Sequence, residues 1–509
     1  MRTDGLFWRA LNAARAANLE DTGQAPAIAA SAGLTRRRML GAMAASAALP
    51  VVGCAPLPTA SFSTRVAIVG GGLAGLIALR DLRKAGIEAT LYEARSRLGG
   101  RVSTYHGGPV PADDGGQFIN GDHDDILALA RGHGLELIDR APLAGRTLLV
   151  DQYCRVLSED QLAEDLRPLA AAIAADAAAI DADAGALAAL DAISVSQYLD
   201  RHHNAVKPYV RALMEATMRT EYGQDPAQAS AVQLIWNLPQ VDGRQLRVIG
   251  SSDERYVLKG GSGSLIEALA PELMPHVHTG HVLESVRPSE AGARLRFAGG
   301  KVVEAERVIV TVPAPLLRTI DFGAMLPPIW QRYAAEIDNG RNEKLNAAYH
   351  GKPWEGSMGR AGDVWPLAGG FAEGWDATTV AGDTGLMTFF MGGAQCAAST
   401  KHDAARLRRD FETVVGAAVP GLTEAATTWQ RRTNWSNDRF ARGSYACFRP
   451  GQLTRYAGLF WLEEAGKAVQ SPTVGPLVFA GEHLSDAWPG FMNGGAQTGR
   501  LAAQAVLGS

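Results

Sequence analysis

The glycine-rich segment 70–75 restricts the fold more than any other part of the sequence. It reads Gly-Gly-Gly-Leu-Ala-Gly and lies between a β-branched run, residues 65–69, and a helical pattern. This order predicts a buried strand, a tight turn and a helix whose N-terminus faces a negatively charged ligand. Gly70 allows the turn, Gly72 lets backbone approach a pyrophosphate, and Gly75 allows close helix–strand packing. The segment therefore predicts a dinucleotide site.

A second predicted strand, residues 88–92, ends at Glu93, at the spacing where dinucleotide-binding units place an acidic residue. Glu93 can accept hydrogen bonds from ribose hydroxyls, and its charge disfavours a ligand with a 2′-phosphate. NADP is therefore the poorest dinucleotide candidate, and these residues alone leave FAD and NAD open.

The residues that follow, 94–102, read Ala-Arg-Ser-Arg-Leu-Gly-Gly-Arg-Val. Together with Glu93 they resemble an extension found in the flavin amine oxidase superfamily, which nicotinamide dehydrogenases lack. The glycine pair, which includes Gly100, permits another close approach of backbone to ligand, and Arg101 can pair with the pyrophosphate. The resemblance implies that the cofactor is FAD, with Arg95 among the residues that bind it.

A second match to the same superfamily lies near the other end of the chain, in residues 477–483, 488–496 and 499–500. It is similar to the closing flavin-binding motif, in which a strand ending at Gly481 and Glu482 and a helix that begins with glycines, from about Asn493, would present N–H groups to the flavin and the pyrophosphate. The resemblance as a whole adds four residues to the predicted cofactor site: Val282, Gly481, Glu482 and Met492.

Weaker family-like segments, residues 115–118, 259–265 and 308–313, lie between the two motifs. The resemblance implies an α/β fold similar to that of monoamine oxidase. In this fold a Rossmann-like FAD-binding domain is built from three discontinuous segments and joins an α+β substrate-binding domain. The Ala-rich stretch 158–203 is typical of helices, and the part beyond Asn342 mixes strand-like runs with turns.

The resemblance also predicts where the domains divide. The predicted divisions are a leader, 1–60; FAD-binding segments, 61–145, 256–325 and 471–509; and substrate-domain segments, 146–255, which is helical, and 326–470.

Four residues are predicted to carry the chemistry. Residues 342–354 resemble the amine oxidase segment whose lysine holds a water near flavin N5, which makes Lys344 the catalytic candidate; a solvated surface lysine is the alternative. Tyr445 and Phe491 match the two walls of the family's aromatic cage, and Trp488 can extend the cage. Apolar walls favour a neutral amine, the form that can lose hydride. Core packing is the alternative for each aromatic residue.

Three residues depart from the superfamily's patterns. Ser444 occupies the position of the cysteine that bonds flavin covalently in monoamine oxidases, and Cys447 follows too late, so noncovalent FAD is expected. Phe118 stands where L-amino acid oxidases carry an arginine for the substrate carboxylate. This argues against α-amino acids, although another arginine could enter the pocket. Asn493 replaces a frequent carboxylate, and the sequence offers no physical account of that change.

The leading interpretation is oxidation of a small-molecule amine. Hydride passes from the amine-bearing carbon to FAD, and the resulting imine hydrolyses to a carbonyl compound. Oxygen, giving hydrogen peroxide, or a periplasmic electron acceptor would reoxidise the flavin. Three alternatives stay open: an L-amino acid oxidase, a carotenoid-type desaturase or isomerase, and a noncatalytic exported flavoprotein. Lys344, Tyr445 and Phe491 argue against the desaturase.

Charge and cysteine content exclude several other classes. The net charge of −4, a pI near 6.3 and the lack of a basic stripe argue against a nucleic-acid partner. The four cysteines form neither a metal-binding pattern nor a dense disulfide framework, so no metal is expected. The 509 residues suffice for at least two domains. The sequence does not set the oligomeric state, and a homodimer is one of the states it allows.

The first part of the chain has the layout of an export signal. Residues 35–40, Thr-Arg-Arg-Arg-Met-Leu, precede an uncharged Ala-rich stretch that runs to Cys54, as in twin-arginine signals. Residues 51–54 resemble a lipoprotein cleavage box. Two outcomes are open: attachment to a membrane through a lipid on Cys54, or a soluble periplasmic protein. A cytoplasmic helix and a spanning helix are weaker alternatives, the latter because Ala, Gly and Pro50 dilute its hydropathy.

Overall fold

The computed structural model of the chain describes residues 66–143, 145–242 and 245–508. The predicted leader, with Cys54, lies outside the described residues. The strands, numbered along the chain, are β1 (Val66–Val69), β2 (Ala89–Tyr92), β3 (Thr104–Tyr105), β4 (Ala112–Asp113), β5 (Leu137–Asp139), β6 (Thr147–Val150), β7 (Val156–Leu157), β8 (Gln240–Asp242), β9 (Gln245–Arg247), β10 (Tyr256–Leu258), β11 (Val277–His278), β12 (Leu283–Ser289), β13 (Gly292–Phe297), β14 (Val302–Ala305), β15 (Arg307–Val310), β16 (Asn342–His350), β17 (Asp363–Pro366), β18 (Glu373–Asp376), β19 (Thr384–Gly392), β20 (Ala426–Arg432), β21 (Leu462–Glu464), β22 (Lys467–Gln470), β23 (Thr473–Val474) and β24 (Leu477–Phe479).

The α-helices are distributed along the whole described chain. They are α1 (Leu73–Lys84), α2 (Asp124–Gly132), α3 (Glu159–Ala182), α4 (Ala184–Asp191), α5 (Val195–Arg201), α6 (Pro208–Tyr222), α7 (Ala231–Asn237), α8 (Ser264–Leu273), α9 (Pro328–Glu336), α10 (Ala394–Ser399), α11 (Ala404–Val415), α12 (Gln452–Tyr456) and α13 (Met492–Leu507). Among the described residues, none of these helices combines the length and the hydropathy that a membrane crossing requires.

A six-stranded sheet carries the predicted glycine turn. Its strand order is β11-β2-β1-β15-β24-β23, and all neighbours are parallel except the last pair. Every residue of β1 is buried, as expected for a parallel strand with both faces covered. The strands come from three separate stretches of the chain, 66–92, 277–310 and 473–479. The sheet therefore forms only when distant segments meet.

The last helix, α13, packs against α1, the helix that follows the glycine turn. The two helices approach so closely that a Cβ atom added to Gly499 would lie 2.3 Å from the carbonyl oxygen of Ala74. Only glycine allows this distance between the two helices. The helix predicted to begin near Asn493 begins at Met492.

A seven-stranded sheet forms the second layer of β structure. Its order is β20-β16-β19-β18-β17-β6-β7, with strands drawn from 147–157 and 342–432. The central strand β16 is buried except at His350. This sheet places Lys344 on β16 and Glu373 on β18, which are both hydrogen-bonded to β19.

The Ala-rich stretch forms α3, α4 and α5, as its composition predicts. The side chain of Ser158 caps α3 by accepting a hydrogen bond from the N–H of Gln161. The next helix, α6, begins with Pro208 and ends before Gly223, which has a left-handed backbone with φ 60°. The last turn of α6 carries Thr220 and Glu221 to a cavity between the helices and the seven-stranded sheet.

Candidate functional site

Two cavities share part of their walls. The first, of about 550 Å³, is lined by the glycine turn and is called here the glycine groove. The second, of about 230 Å³, is lined by Glu221, Glu254 and Glu373 and is called the acidic chamber. The residues common to both walls are Arg101, Gly116, Ser444, Tyr445, Gly490, Phe491 and Met492. These shared residues mark the junction of the two cavities.

The glycine turn gives the groove a wall of bare backbone. A Cβ atom added to Gly75 would lie 2.0 Å from the carbonyl oxygen of Gly70, so glycine is needed there for the fold itself. A Cβ atom on Gly72 would have no protein atom within 4 Å, although Gly72 lines the groove. Helix α1 starts after Gly72 without a side-chain cap, so its first N–H groups are free to bind an anion. This wall fits the pyrophosphate of a dinucleotide.

The other predicted glycines and their neighbours also line the groove. Gly100 lies opposite Gly72, because a Cβ atom on Gly100 would come within 3.4 Å of the Cα atom of Gly72. Eight more of the predicted cofactor residues line the groove: Gly70, Glu93, Arg95, Arg101, Val282, Gly481, Glu482 and Met492. Gly75 does not line it, and its contribution is the close packing described above.

Glu93 is held in place by backbone donors. One carboxylate oxygen accepts a hydrogen bond of 2.6 Å from the N–H of Gly71, and the other accepts one of 2.7 Å from the N–H of Arg95. The side chain is buried yet lines the groove. The carboxylate is thus fixed where the end of β2 meets the glycine turn.

Arg95 has a partner that the sequence did not indicate. Its guanidinium forms two hydrogen bonds with the carboxylate of Asp438, at 2.9 and 2.5 Å, and lies 5.3 Å from the ring centre of Phe440. Residues 439–442 line the groove, so this ion pair holds a segment that follows the seven-stranded sheet against the glycine turn. No spacing rule links residues so far apart in the sequence.

Arg101 joins the two predicted cofactor motifs. Its Nη1 donates to Glu482 Oε1 at 2.7 Å and to the carbonyl oxygen of Ser444 at 2.6 Å. Glu482 also accepts from the N–H groups of Gly490 and Ala446, at 2.7 and 3.2 Å. Arg101 therefore lies at the junction with its charge balanced by a buried carboxylate.

The predicted aromatic residues lie together at or beside the junction. Tyr445 and Phe491 line both cavities, and Trp488 lines the acidic chamber. The hydroxyl of Tyr445 donates to the carbonyl oxygen of Thr220, which fixes the ring. His123 packs edge-on against Phe491 with 5.0 Å between ring centres. Burial lowers the pKa of His123 to about 3, so this imidazole is neutral.

Lys344 is buried, which excludes the alternative of a solvated surface lysine. Its Nζ lies in the chamber wall and donates to the carbonyl oxygens of Gly115, at 2.8 Å, and Asp113, at 3.2 Å, and to Gln117 Oε1 at 3.3 Å. Burial lowers the pKa of Lys344 from 10.5 to about 8, against the opposing charge of Asp113. The amine therefore changes protonation near neutral pH, as catalytic lysines do.

Three glutamates in the chamber wall were not predicted from the sequence. Burial raises the pKa of Glu221 to about 8 and that of Glu254 to about 7, in the second case against the opposing charge of Arg140. Burial also raises the pKa of Glu373 well above its ordinary value, assisted by the charges of Glu254 and Asp363. These residues come from three distant segments, and only the folded chain brings them together.

A hydrogen-bonded serine occupies the position at which monoamine oxidases carry the cysteine that bonds flavin. Ser444 Oγ donates to Asn342 Oδ1 at 2.6 Å in the wall that both cavities share. Cys447 is buried elsewhere, with its sulfur 3.6 Å from the carbonyl oxygen of Asp338. Of the described residues that line the two cavities, none is a cysteine.

Phe118 lines the acidic chamber and stacks with an arginine. The Arg140 guanidinium carbon lies 4.6 Å from the centre of the Phe118 ring. Nη1 of Arg140 donates to the carbonyl oxygen of Glu254 at 3.1 Å and lies 3.8 Å from the Glu254 carboxylate. An arginine thus does approach this wall, but its charge faces Glu254.

Asn493 contacts the start of a neighbouring helix through an oxygen that a carboxylate would also offer, so the contact does not account for the replacement. Its Oδ1 accepts a hydrogen bond of 3.0 Å from the N–H of Ile126, in the first turn of α2. Helix α2 has no cap from its own N-cap side chain, so Asn493 satisfies one of its free N–H groups. This contact ties α2 to the start of α13.

Comparisons with known proteins agree with this arrangement. Residues 73–507 match the model of one protein family, described as flavin-containing amine oxidoreductase. The chain is 25% identical over 475 residues to an L-amino acid dehydrogenase of Synechocystis sp., a match that covers 87% of this chain and 94% of the relative. It is 24% identical over 478 residues to a flavin-containing amine oxidase of Oncorhynchus mykiss, covering 88% and 87%.

Solved structures show the same fold. A putrescine oxidase with putrescine bound superposes with a TM-score of 0.75 at 22% identity, covering 88% of this chain and 99% of that one. This likeness confirms the expected α/β class, with a dinucleotide-type domain built from discontinuous segments and a second, substrate-binding domain.

Proposed function

The chain belongs to the flavin-containing amine oxidoreductase family, and we propose that it is an FAD-dependent oxidase of small-molecule amines. Family membership implies FAD and a donor in which carbon carries an amino group. FAD, when bound, supplies the acceptor for a hydride from that carbon, so that with loss of a proton from nitrogen the amine becomes an imine, which water converts to a carbonyl compound.

The glycine groove is the proposed FAD site. Gly72 and Gly100 leave room for the pyrophosphate, and Glu93 is placed to accept from a ribose hydroxyl. Tyr445 and Phe491, at the junction, would flank the substrate nitrogen. Because Ser444 occupies the cysteine position and forms a hydrogen bond within the protein, we propose that FAD is bound noncovalently.

The observation that carries the proposal is the buried position of Lys344 in the chamber wall. Its neighbours are carbonyl and amide oxygens, which can hold its protonated form and can share a water with its neutral form. We assign Lys344 the role of orienting water and setting the local charge during oxidation.

A second candidate is the oxidation of α-amino acids, which the L-amino acid dehydrogenase relative suggests. An amino acid substrate needs a cation for its carboxylate. Of the described residues that line the acidic chamber, Arg101 and Lys344 are the cationic ones, and both are engaged by protein oxygens. Arg140 faces Glu254. The chamber therefore favours an amine without a carboxylate.

Anaerobic reduction of the bound flavin tests the proposal directly. The purified protein is mixed with monoamines, polyamines, cyclic amines and L-amino acids, and the loss of flavin absorbance is followed. We expect amines to reduce the flavin and Lys344→Met to slow this reduction by about 100-fold. Lys259→Met is the matched control, because Lys259 is a solvent-exposed lysine paired with Glu136.

The pH dependence provides a second readout. Wild type should show a step in the reduction rate near pH 8, where Lys344 loses its proton, and Lys344→Met should lack that step. Reduction by L-amino acids alone would overturn the amine assignment. A flavin that none of these compounds reduces would favour the desaturase or the noncatalytic flavoprotein. Hydrogen peroxide measured per turnover in air separates oxygen from another electron acceptor.

We also propose that the chain is exported by the twin-arginine route to the periplasm, where it is either anchored to a membrane by a lipid on Cys54 or a soluble protein. This rests on residues 35–54, which lie outside the described residues. Fractionation of cells that express the intact chain tests it, since replacement of Arg36 and Arg37 by lysine should retain the protein in the cytoplasm.

A further inference from the structure

The amine of Lys344 is surrounded by one short segment of the chain, residues 113–117. Its Nζ donates to the carbonyl oxygens of Gly115 and Asp113, at 2.8 and 3.2 Å, and to the side-chain oxygen of Gln117 at 3.3 Å. A protonated amine has three protons and no lone pair, so three acceptors satisfy it completely. A neutral amine has only two protons and leaves one of these acceptors unused. The surroundings therefore favour the protonated form of Lys344.

Gln117 supplies the one side chain among these three acceptors. The two carbonyl oxygens belong to backbone that the fold fixes. Asp113 pairs with Thr104 in a two-stranded sheet, and a Cβ atom added to Gly115 would lie 1.8 Å from the carbonyl oxygen of Arg101. Of the three acceptors, only that of Gln117 can be removed by a substitution that leaves the backbone in place.

A second donor fixes the orientation of the Gln117 amide. Its Oε1 also accepts from Trp375 Nε1 at 3.3 Å. The ammonium of Lys344 and the indole of Trp375 are both donors without an acceptor, so a reversed amide would place its NH2 group against two donors. Gln117 lines the acidic chamber and is 5% exposed, so its amide is largely shielded from solvent. The amide oxygen is thus held against Lys344.

The charges closest to Lys344 oppose the effect of its burial. Burial favours the neutral amine, whereas the carboxylates of Asp113, Asp114 and Glu254 favour the ammonium. Asp114 is paired with Arg431 at 2.8 Å, which offsets part of its charge. The protonation of Lys344 therefore depends on a balance between burial and these carboxylates.

The other elements beside Lys344 contribute less charge. Phe390, which lies opposite Lys344 on β19, is neutral. Glu373 on β18 and Glu221 on α6 line the same chamber, and burial raises the pKa of both, which reduces their charge near neutral pH. The pKa of Lys344, which burial lowers to about 8, is thus set by opposing influences of similar size. One hydrogen bond more or less is expected to move it.

We propose that Gln117 is a positioning residue whose amide oxygen holds the protonated form of Lys344 and so sets the pH at which this lysine becomes neutral. Protonated Lys344 has all its protons engaged by the protein, whereas neutral Lys344 has a lone pair that can accept from a water. Gln117 thereby controls the pH range in which Lys344 can hold a water. The effect on catalysis rests on the proposed amine oxidase function, but the contact between the two side chains does not.

Two substitutions change the acceptor in opposite directions. Gln117→Glu keeps the shape and places a negative charge beside the amine, so the pKa of Lys344 should rise by at least about 1 pH unit. Gln117→Met keeps the length and removes the acceptor, so the pKa should fall by about 0.5 pH unit. Gln228→Glu is the matched control, because Gln228 is exposed and lies outside both cavities, and it should leave the pKa unchanged.

NMR of the purified protein, with its lysines labelled with 13C at Cε, measures this pKa without a substrate. The Cε chemical shift changes when the amine loses its proton, and the Lys344 signal is identified by its absence in Lys344→Met. The pH step in anaerobic flavin reduction by an amine should move with the measured pKa, upward in Gln117→Glu and downward in Gln117→Met. A purely structural role would lower the rate and leave the step near pH 8.

The outcomes separate this inference from the proposed function. A pKa of Lys344 that is the same in wild type, Gln117→Glu and Gln117→Met would overturn the inference, whether or not amines reduce the flavin. If Gln117→Met does not fold, Gln117→Asn replaces it, because the shorter side chain withdraws the amide from Nζ. If the pKa moves as expected and no amine reduces the flavin, the role of Gln117 stands and the proposed function fails.

Discussion

The glycine groove and the acidic chamber differ in how the protein treats a buried carboxylate. In the groove, Glu93 accepts from two backbone N–H groups, and Glu482 accepts from Arg101 and two more N–H groups. In the chamber, Glu373 has no such donor among the described residues, and the pKa values of Glu221 and Glu254 are raised. The same residue type thus has several hydrogen-bond donors in one cavity and few or none from the described residues in the other.

This difference distinguishes carboxylates that stabilise the fold from carboxylates that the protein leaves without hydrogen-bond donors. A carboxylate that the protein satisfies by itself holds two segments together whether or not a ligand is bound. A buried carboxylate without protein donors destabilises the folded protein. The groove is therefore expected to be rigid before the ligand arrives, and the chamber is expected to be the less stable of the two cavities.

The largest effect is expected in the groove, at its glycines. Gly75→Ala places a Cβ atom 2.0 Å from the Gly70 carbonyl oxygen, a backbone atom that cannot move aside. We expect at least about 3 kcal/mol of lost stability and a protein purified without flavin. Thermal unfolding and the ratio of flavin to protein absorbance measure both effects.

Gly72→Ala is the matched variant, because its Cβ atom meets no protein atom. It should fold with unchanged thermal stability in the absence of flavin and bind FAD at least about tenfold more weakly. Equal flavin affinity in Gly72→Ala and wild type would show that the ligand does not approach this backbone.

The next prediction compares how the two kinds of carboxylate change the free energy of unfolding. Glu482→Gln removes a charge that Arg101 and two N–H groups depend on, and we expect it to lower the free energy of unfolding by about 2–3 kcal/mol. Glu373→Gln removes a buried carboxyl that has no donor among the described residues, so the variant should be at least as stable as wild type. Denaturant titration of both variants measures this, and losses of similar size would contradict the distinction.

The chamber also predicts a pH dependence of stability. The pKa values of Glu254 and Glu221 rise from 4.5 in the ordinary state to about 7 and about 8 in the folded protein. Their contribution is complete below pH 4.5 and is lost as the pH rises through these folded values, because the folded state then holds the extra protons. Wild type should become less stable over this range, and Glu373→Gln should show a smaller decline.

The smallest effect is expected at Ser444, which lies in both walls. Ser444→Ala leaves Asn342 Oδ1 without its donor and should cost about 1 kcal/mol of stability. Acid precipitation should release the flavin from wild type and variant alike, since neither offers a sulfur to the cofactor. Flavin that stays with the precipitated wild-type protein would contradict noncovalent binding.

Sequence alone was sufficient where function depends on local backbone geometry. The glycine turn, the strand before Glu93 and the closing motif each lie within a short segment, so their spacing predicts the strand, turn and helix. The strand predicted over 65–69 is observed over Val66–Val69, and α13 begins one residue before the predicted position. The domain boundaries and the roles of the site residues stay predictions.

Sequence was insufficient where the site depends on long-range contacts. Arg95 was predicted to bind the cofactor, yet its ion pair with Asp438 joins segments that no periodicity relates. Glu221, Glu254 and Glu373 look like ordinary surface glutamates in the sequence, since nothing in their immediate neighbours indicates burial. Only the packing of α6 against the seven-stranded sheet and the loop around Glu254 brings them to one cavity.

The strand order of the six-stranded sheet has a consequence for how the protein is made. Strand β1 leaves the ribosome early, whereas its neighbour β15 and the adjacent β24 are synthesised much later. A nascent chain that ends before Leu477 lacks both an inner strand of this sheet and the helix that covers α1. Dinucleotide binding therefore has to wait until residues 477–507 have been synthesised, and a bound cofactor marks a chain that extends at least that far.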